Sequence, residues 1–171
     1  SSIFEGIVVR HGIKITGENY ARLVIECRDK AVAMTIGRKN TNYVDQKDSD
    51  ILSTIVGSYS SLTTDISATA LQHKELVQYY CTDWDFALAR AEANGFLVIV
   101  EDGKFSAKPP QTDATAVLKV AYGVDLMEFH GDIDARTQFS KVKATAWDQK
   151  QQAVVEGTSA PETLNEQGNL A

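Results

Sequence analysis

The chain has 171 residues, with 17 basic and 23 acidic side chains and a formal net charge of −6. Apolar residues at 43% and charged residues at 23% are ordinary for a globular fold and exclude wholesale disorder. Residues 51–171 hold nine basic and sixteen acidic side chains, and that acidic balance argues against a face that wraps nucleic acid.

In chain order, Ile3–Val9 reads as a strand, His11-Gly12 as a turn, and Ile13–Thr16 as a second short strand of period two. Gly17-Glu18-Asn19 is a turn. Tyr20–Arg28 follows as a strand with Leu23, Ile25 and Cys27 on one face. Ala31–Ile36 alternates again through Val32, Met34 and Ile36, so the first 37 residues are expected to form an antiparallel meander. Arg38–Lys47 is polar and reads as a loop. Asp48-Ser49-Asp50 then caps a helix, because a short side-chain oxygen accepts an unpaired backbone N–H. Ile51, Leu52, Ile55 and Val56 follow at helical spacing, and Gly57 is a plausible stop.

Residues 58–63 form a loop, and a weak strand is expected around Ile66–Ala70. Glu75–Cys81 is β-rich. Thr82 or Asp83 caps a second helix over Trp84–Asn94, with Trp84, Leu88 and Ala91 on one stripe and Phe86, Ala89 and Ala93 on the next. Gly95 ends it, Phe96–Val100 is an apolar strand, and an Asp102-Gly103 hairpin returns the chain through Phe105–Ala107. Pro109-Pro110 marks a boundary. Beyond it, strands are expected at Val117–Ala121, Leu126–His130, Gln138–Trp147 and Gln152–Glu156, then a polar tail over 158–171. The order predicts an α+β fold, mainly β, in which strands precede and follow a strand–helix–strand insert.

No stretch approaches the roughly 18 apolar residues of a membrane span, and Ser1–Glu5 lacks the parts of a signal peptide. Cys27 and Cys81 read as buried thiols of a reducing compartment in preference to a disulfide. His11, His73 and His130 have no ligand-like spacing and read as surface or turn positions. Asp48-Ser49-Asp50 fails as a calcium loop, since Ser53 stands where the glycine is required. Asp83-Trp84-Asp85 places its acids in a helix's first turn, where the dipole favours them. Asp132-Ile133-Asp134 is read as an edge or loop pair. Gly12 and Gly17 have the outer spacing of a phosphate loop, but Glu18-Asn19 replaces Lys-Ser/Thr. Arg38-Lys39 is an exposed-looking basic pair, by default solvated and otherwise a contact for an acidic partner. No catalytic, cofactor or metal residues are expected.

The segment from Val77 to Phe96 resembles the VgrG (Rhs-element Vgr) spike proteins of type VI secretion and the related phage late-control and baseplate-hub proteins. The resemblance is carried by Gln78, Tyr79, Asp83, Asp85-Phe86, Arg90, Glu92 and Gly95, matching in kind and order. Gly6-Ile7-Val8, Arg28–Ala31, Met34–Arg38, Ser49–Leu52 and Val142–Asp148 also look like that family. Cys81-Thr82 departs from its usual Glu-Ser, and Ala91 from a bulky Leu. Trp84, Phe86 and Leu88 are expected to lie on a sheet, with Tyr79 and Phe96 packed beneath.

The resemblance covers about residues 3–157 and implies a piece of a hub, without the family's beginning or needle. It implies antiparallel β-barrel-like sheets: closing strands of a first barrel over 1–39, a connecting two-helix α/β region over 40–108, and a second barrel over 109–157. It further implies that the full-length parent is a non-enzymatic homotrimer that caps a hexameric tube protein among other baseplate proteins. Such a protein is cytoplasmic during assembly and leaves the cell with the injection apparatus. An attached effector or enzyme, or a stand-alone β-barrel binding module, are the alternatives; a polar cleft or a basic aromatic face would mark them.

Overall fold

The computed structural model describes residues 3–17, 20–111, 115–116, 118–131, 136 and 139–159, and the chain divides into two compact units, residues 1–110 and 111–171. The fold is α+β and mainly β, with antiparallel pairing dominant. The first unit begins with a two-stranded ribbon, β1 (Ile7–Ile15) against β2 (Ala21–Arg28). His11 and Gly12 are not a turn. They continue β1, paired with Ile25 and Val24, and the irregularity falls instead as a bulge between Val8 and Arg10.

The expected strand over Ala31–Ile36 is a 3₁₀ helix, Lys30–Thr35. Asp29 decides this: its Oδ1 accepts the N–H of Ala31 at 2.8 Å, and its Oδ2 accepts that of Gly103 at 2.9 Å. Ala31 and Met34, three residues apart, then face the core together. The polar stretch expected as a loop is a strand, β3 (Lys39–Lys47), antiparallel to β5 (Gln72–Cys81).

Helix α1 (Asp48–Gly57) starts where expected, but by another cap. No side chain at its own N-terminus caps it; Thr69 Oγ1, from the loop before β5, accepts the N–H of Ser49 at 3.0 Å. Ile51, Leu52, Ile55 and Val56 are buried, each worth about 1.5–3 kcal/mol. Strand β4 (Thr63–Ile66) comes earlier than expected and runs parallel to β7 (Lys104–Lys108), which is also antiparallel to β6 (Leu97–Glu101). Asp102 and Gly103 turn between β6 and β7 with φ of 51° and 78°, the two positive values a type I′ hairpin needs.

Helix α2 (Asp83–Ala93) is capped by Thr82, whose Oγ accepts the Asp85 N–H at 3.0 Å. It closes with Gly95 at φ 67°, donating to Glu92 O, while Phe96 N–H reaches back to Ala91 O. The core lies between the two helices and the strands: Met34, the α1 side chains, Phe86, Ala87, Phe105 and Ala107.

In the second unit, β8 (Val142–Asp148) pairs antiparallel with β9 (Ala153–Ser159), so Thr158 and Ser159 are strand and not tail. The other two expected strands are absent among the described residues; 121–126 form a turn closed by bonds to Ala121 O and a Tyr122–Leu126 bridge. The Asp132-Ile133-Asp134 pair lies outside the described residues. The described strands form antiparallel-dominated sheets of two and three strands, and none of these closes into a barrel.

Candidate assembly interface

The residues of the Gln78–Phe96 signature mostly fasten α2 to its own unit. Gln78 is fully buried; its Nε2 donates to Asp83 Oδ1 at 2.9 Å and its Oε1 accepts from Tyr43 Oη at 3.2 Å. Asp83 Oδ2 accepts from Tyr59 Oη at 2.6 Å and from the Lys39 ammonium. Burial pushes the Asp83 carboxyl up, but the bonds from Gln78, Lys39 and Tyr59 outweigh it and hold it below its ordinary value. Arg90, one turn from the other end, grips Asp48 through Nε at 2.6 Å and Nη2 at 3.0 Å.

Asp48 is 1% exposed, and it also meets His73 Nε2 at 3.0 Å and Asn94 Nδ2 at 2.9 Å. Burial raises its pKa, and the hydrogen bonds from Arg90, His73 and Asn94 overturn that, holding the carboxyl far below the usual range. Asp48 is thus an anchor joining α1, α2 and β5, not a helix cap. Sequence reasoning missed His73, Asn94, Lys39 and Tyr59 as partners. They stand 24 to 46 residues from the carboxylates they serve, and no local pattern marks them.

The aromatic part of the signature is only partly as expected. Phe86 is buried and stacks on Tyr43 with ring centroids 5.8 Å apart. Trp84 is half-buried, edge-on to Phe105 at 6.2 Å, and Phe96 packs at the margin of the core. Leu88 and Tyr79 are exposed, Tyr79 at 81%. The buried stripe of α2 runs through Asp83, Phe86, Ala87 and Ala91, because the helix turns its two polar anchors inward with it.

What this unit leaves open is apolar. Register pairs in an antiparallel ribbon share a face, so Val8/Cys27, His11/Ile25, Ile13/Leu23 and Ile15/Ala21 line one side of β1–β2. Arg10/Glu26, Gly12/Val24 and Lys14/Arg22 line the other. The first side is hydrophobic, yet Ile13, Ile15 and Leu23 are each at least 70% exposed. Cys27, expected as a buried thiol, is exposed as well. By the same rule, one face of β8–β9 carries Val142, Ala144, Ala146, Ala153, Val155 and Gly157, and the other pairs Trp147 with Val154; all but one residue of the two strands is exposed. An open cavity of about 450 Å³ lies near the foot of the first ribbon, lined by Val9, Val32, Trp84 and Val100 among others.

His11 sits in mid-ribbon, and the His73 expectation of a surface or turn position is replaced by its place beside Asp48. Among the described residues no three His, Cys, Asp or Glu side chains gather as metal ligands, and no helix is long and apolar enough to cross a membrane. The arrangement is suited to burying apolar surface against another sheet.

Comparison with solved structures agrees in fold. A tail protein from Neisseria meningitidis MC58 matches with a TM-score of 0.66 and 14% identity, over 95% of this chain and 52% of that one. The 43 kDa tail protein of prophage MuSo2 from Shewanella oneidensis matches with a TM-score of 0.63 and 11% identity, over 90% of this chain and 48% of that one. The chain therefore spans about half the length of these structures and shares the fold of that half. No curated protein sequence matches it. The family model described as the Alg8 N-terminal domain matches residues 1–171, from first to last, and the chain belongs to that family.

Proposed function

We propose that the chain is a non-enzymatic assembly module of a phage-tail or type VI injection machine, part of a hub or spike that caps the inner tube as a trimer. The observation that carries this reading is the open apolar face of β1–β2. Monomers rarely expose contiguous apolar patches beyond a few hundred Å², and an isolated two-stranded ribbon is marginal until a further sheet or helix covers it. The polar groups at the centre of the first unit are spent on one another: Asp48 and Asp83 each take three or more donors from their own chain. The likeness to two tail proteins adds support, as does the resemblance of Gln78–Gly95 to hub proteins.

The test is light scattering coupled to size exclusion across a concentration series reaching well above micromolar. A closed trimer is expected, since cyclic symmetry repeats one patch around an axis. A chain that stays strictly monomeric throughout would remove the reading.

A further inference from the structure

Strand β6 stands at the end of the order β4–β7–β6, so one of its edges has no strand beside it. Its turn into β7 has two residues, and Glu101 pairs with Lys104 across it. The residues flanking such a loop exchange their backbone bonds, and the pattern alternates from there. Leu97, Ile99 and Glu101 therefore spend theirs on β7, while the N–H and C=O of Val98 and Val100 point outward. None of these four groups takes a backbone partner among the described residues. Nothing blunts the edge: it has no proline, lysine or bulge, and Leu97 and Ile99 on its outer face are 57% and 61% exposed. On the inner face, Val100 reaches the cavity of about 450 Å³ that Val9, Val32 and Trp84 also line.

The chain itself carries a segment that fits this edge. Its sequence over 117–121 has the character of a strand, yet residues 118–120 join no sheet. Leu118 is 75% and Val120 46% exposed, with Lys119 between them. Successive side chains of a strand alternate between faces. Lys119 set opposite Glu101 on the outer face thus puts its two apolar neighbours on the inner face, one of them beside Val100 at the cavity. Glu101 is free to take it: its register partner Lys104 pairs with Asp65 instead, and neither Glu101 nor Lys119 has an ion pair among the described residues. We propose that the free edge of β6 binds residues 118–120 of a second copy of this chain, which join the three-stranded sheet as a further strand. Backbone bonds provide the attachment, and the match of Lys119 to Glu101 and of Leu118 and Val120 to the apolar side selects the segment. Edge and segment are different surfaces, so the contact runs head to tail, a kind that makes a ring when its rotation closes. The inference rests on the self-assembly proposed above and names a contact for it.

The test is sedimentation equilibrium of the full chain at low salt, with circular dichroism melts alongside. Wild type is compared with Val120→Pro, Glu101→Lys, Lys119→Glu and the double exchange of E101K with K119E. Wild type associates. V120P, which disrupts the added strand at an exposed position outside any element, weakens association at least tenfold with an unchanged melting temperature. E101K and K119E each set like charges opposite one another and weaken it at least threefold, and the double exchange restores it to near wild type. If wild type associates and either V120P matches it or the double exchange does no better than the single ones, this contact is wrong and the assembly reading stands. If wild type stays monomeric at every concentration, both fall.

Discussion

The α/β body of residues 29–108 and the two ribbons that flank it in sequence use similar side chains to opposite ends. In the body, Met34, Ile51, Leu52, Val56 and Phe105 are fully buried. In β1–β2 and β8–β9, residues of the same types stand mostly in solvent. The difference lies in what the chain supplies as cover. The body brings two helices and a three-stranded sheet onto one core, whereas each ribbon has a single layer with one apolar face. A layer with an apolar face becomes stable only when a second layer is packed on it. The body thus buries its own apolar side chains, and the ribbons leave theirs open.

That contrast can be broken at the core first. Phe105→Ala removes a fully buried ring between α2 and the three-stranded sheet and is expected to cost about 3–5 kcal/mol, read by urea denaturation. Asp48→Ala leaves Arg90 without its buried partner and costs about 3 kcal/mol. It also has a pH signature. The folded carboxyl lies below its unfolded value of about 3.9, so its contribution is present above that pH and is lost as pH falls through the lower, folded value. Wild-type stability should therefore fall below about pH 4, and D48A should show a shallower fall over the same range. Gly103→Ala is expected to cost about 1–3 kcal/mol, because φ is 78° and a Cβ there would stand 2.9 Å from Ser61 O. Leu23→Ser, on the open ribbon face, should change monomer stability by no more than about 0.5 kcal/mol while reducing association; a loss of several kcal/mol in dilute monomer would show that the face is already covered.

Much of the body was legible because its signals are local. Thr82 and Gly95 bracket α2, Asp102-Gly103 makes its hairpin, and Ile51–Val56 keep helical spacing. β3 was hidden because Tyr43 is its one buried residue, and the Asn, Thr and Asp around it read as a loop. The 3₁₀ turn was hidden because Val32, Met34 and Ile36 happen to alternate, and Asp29's role as cap depends on Gly103, 74 residues away. Asp48 and Asp83 looked like helix caps, since a short acid at a helix start fits that role by itself. Their true partners come from β3, β5, the far end of α2 and the loops, and only the folded chain brings them together. The exposure of Tyr79 and Leu88 was missed for a related reason: an apolar stripe shows which face can be buried, not whether anything is there to bury it.

Hydrogen–deuterium exchange on the full chain, dilute and then concentrated, tests the contrast most directly. The account predicts strong protection in α1, α2 and β3–β7 at both concentrations, with fast exchange in β1–β2 and β8–β9 that slows as the chain assembles. Ribbons protected as strongly as the body in a monodisperse, dilute monomer would contradict it.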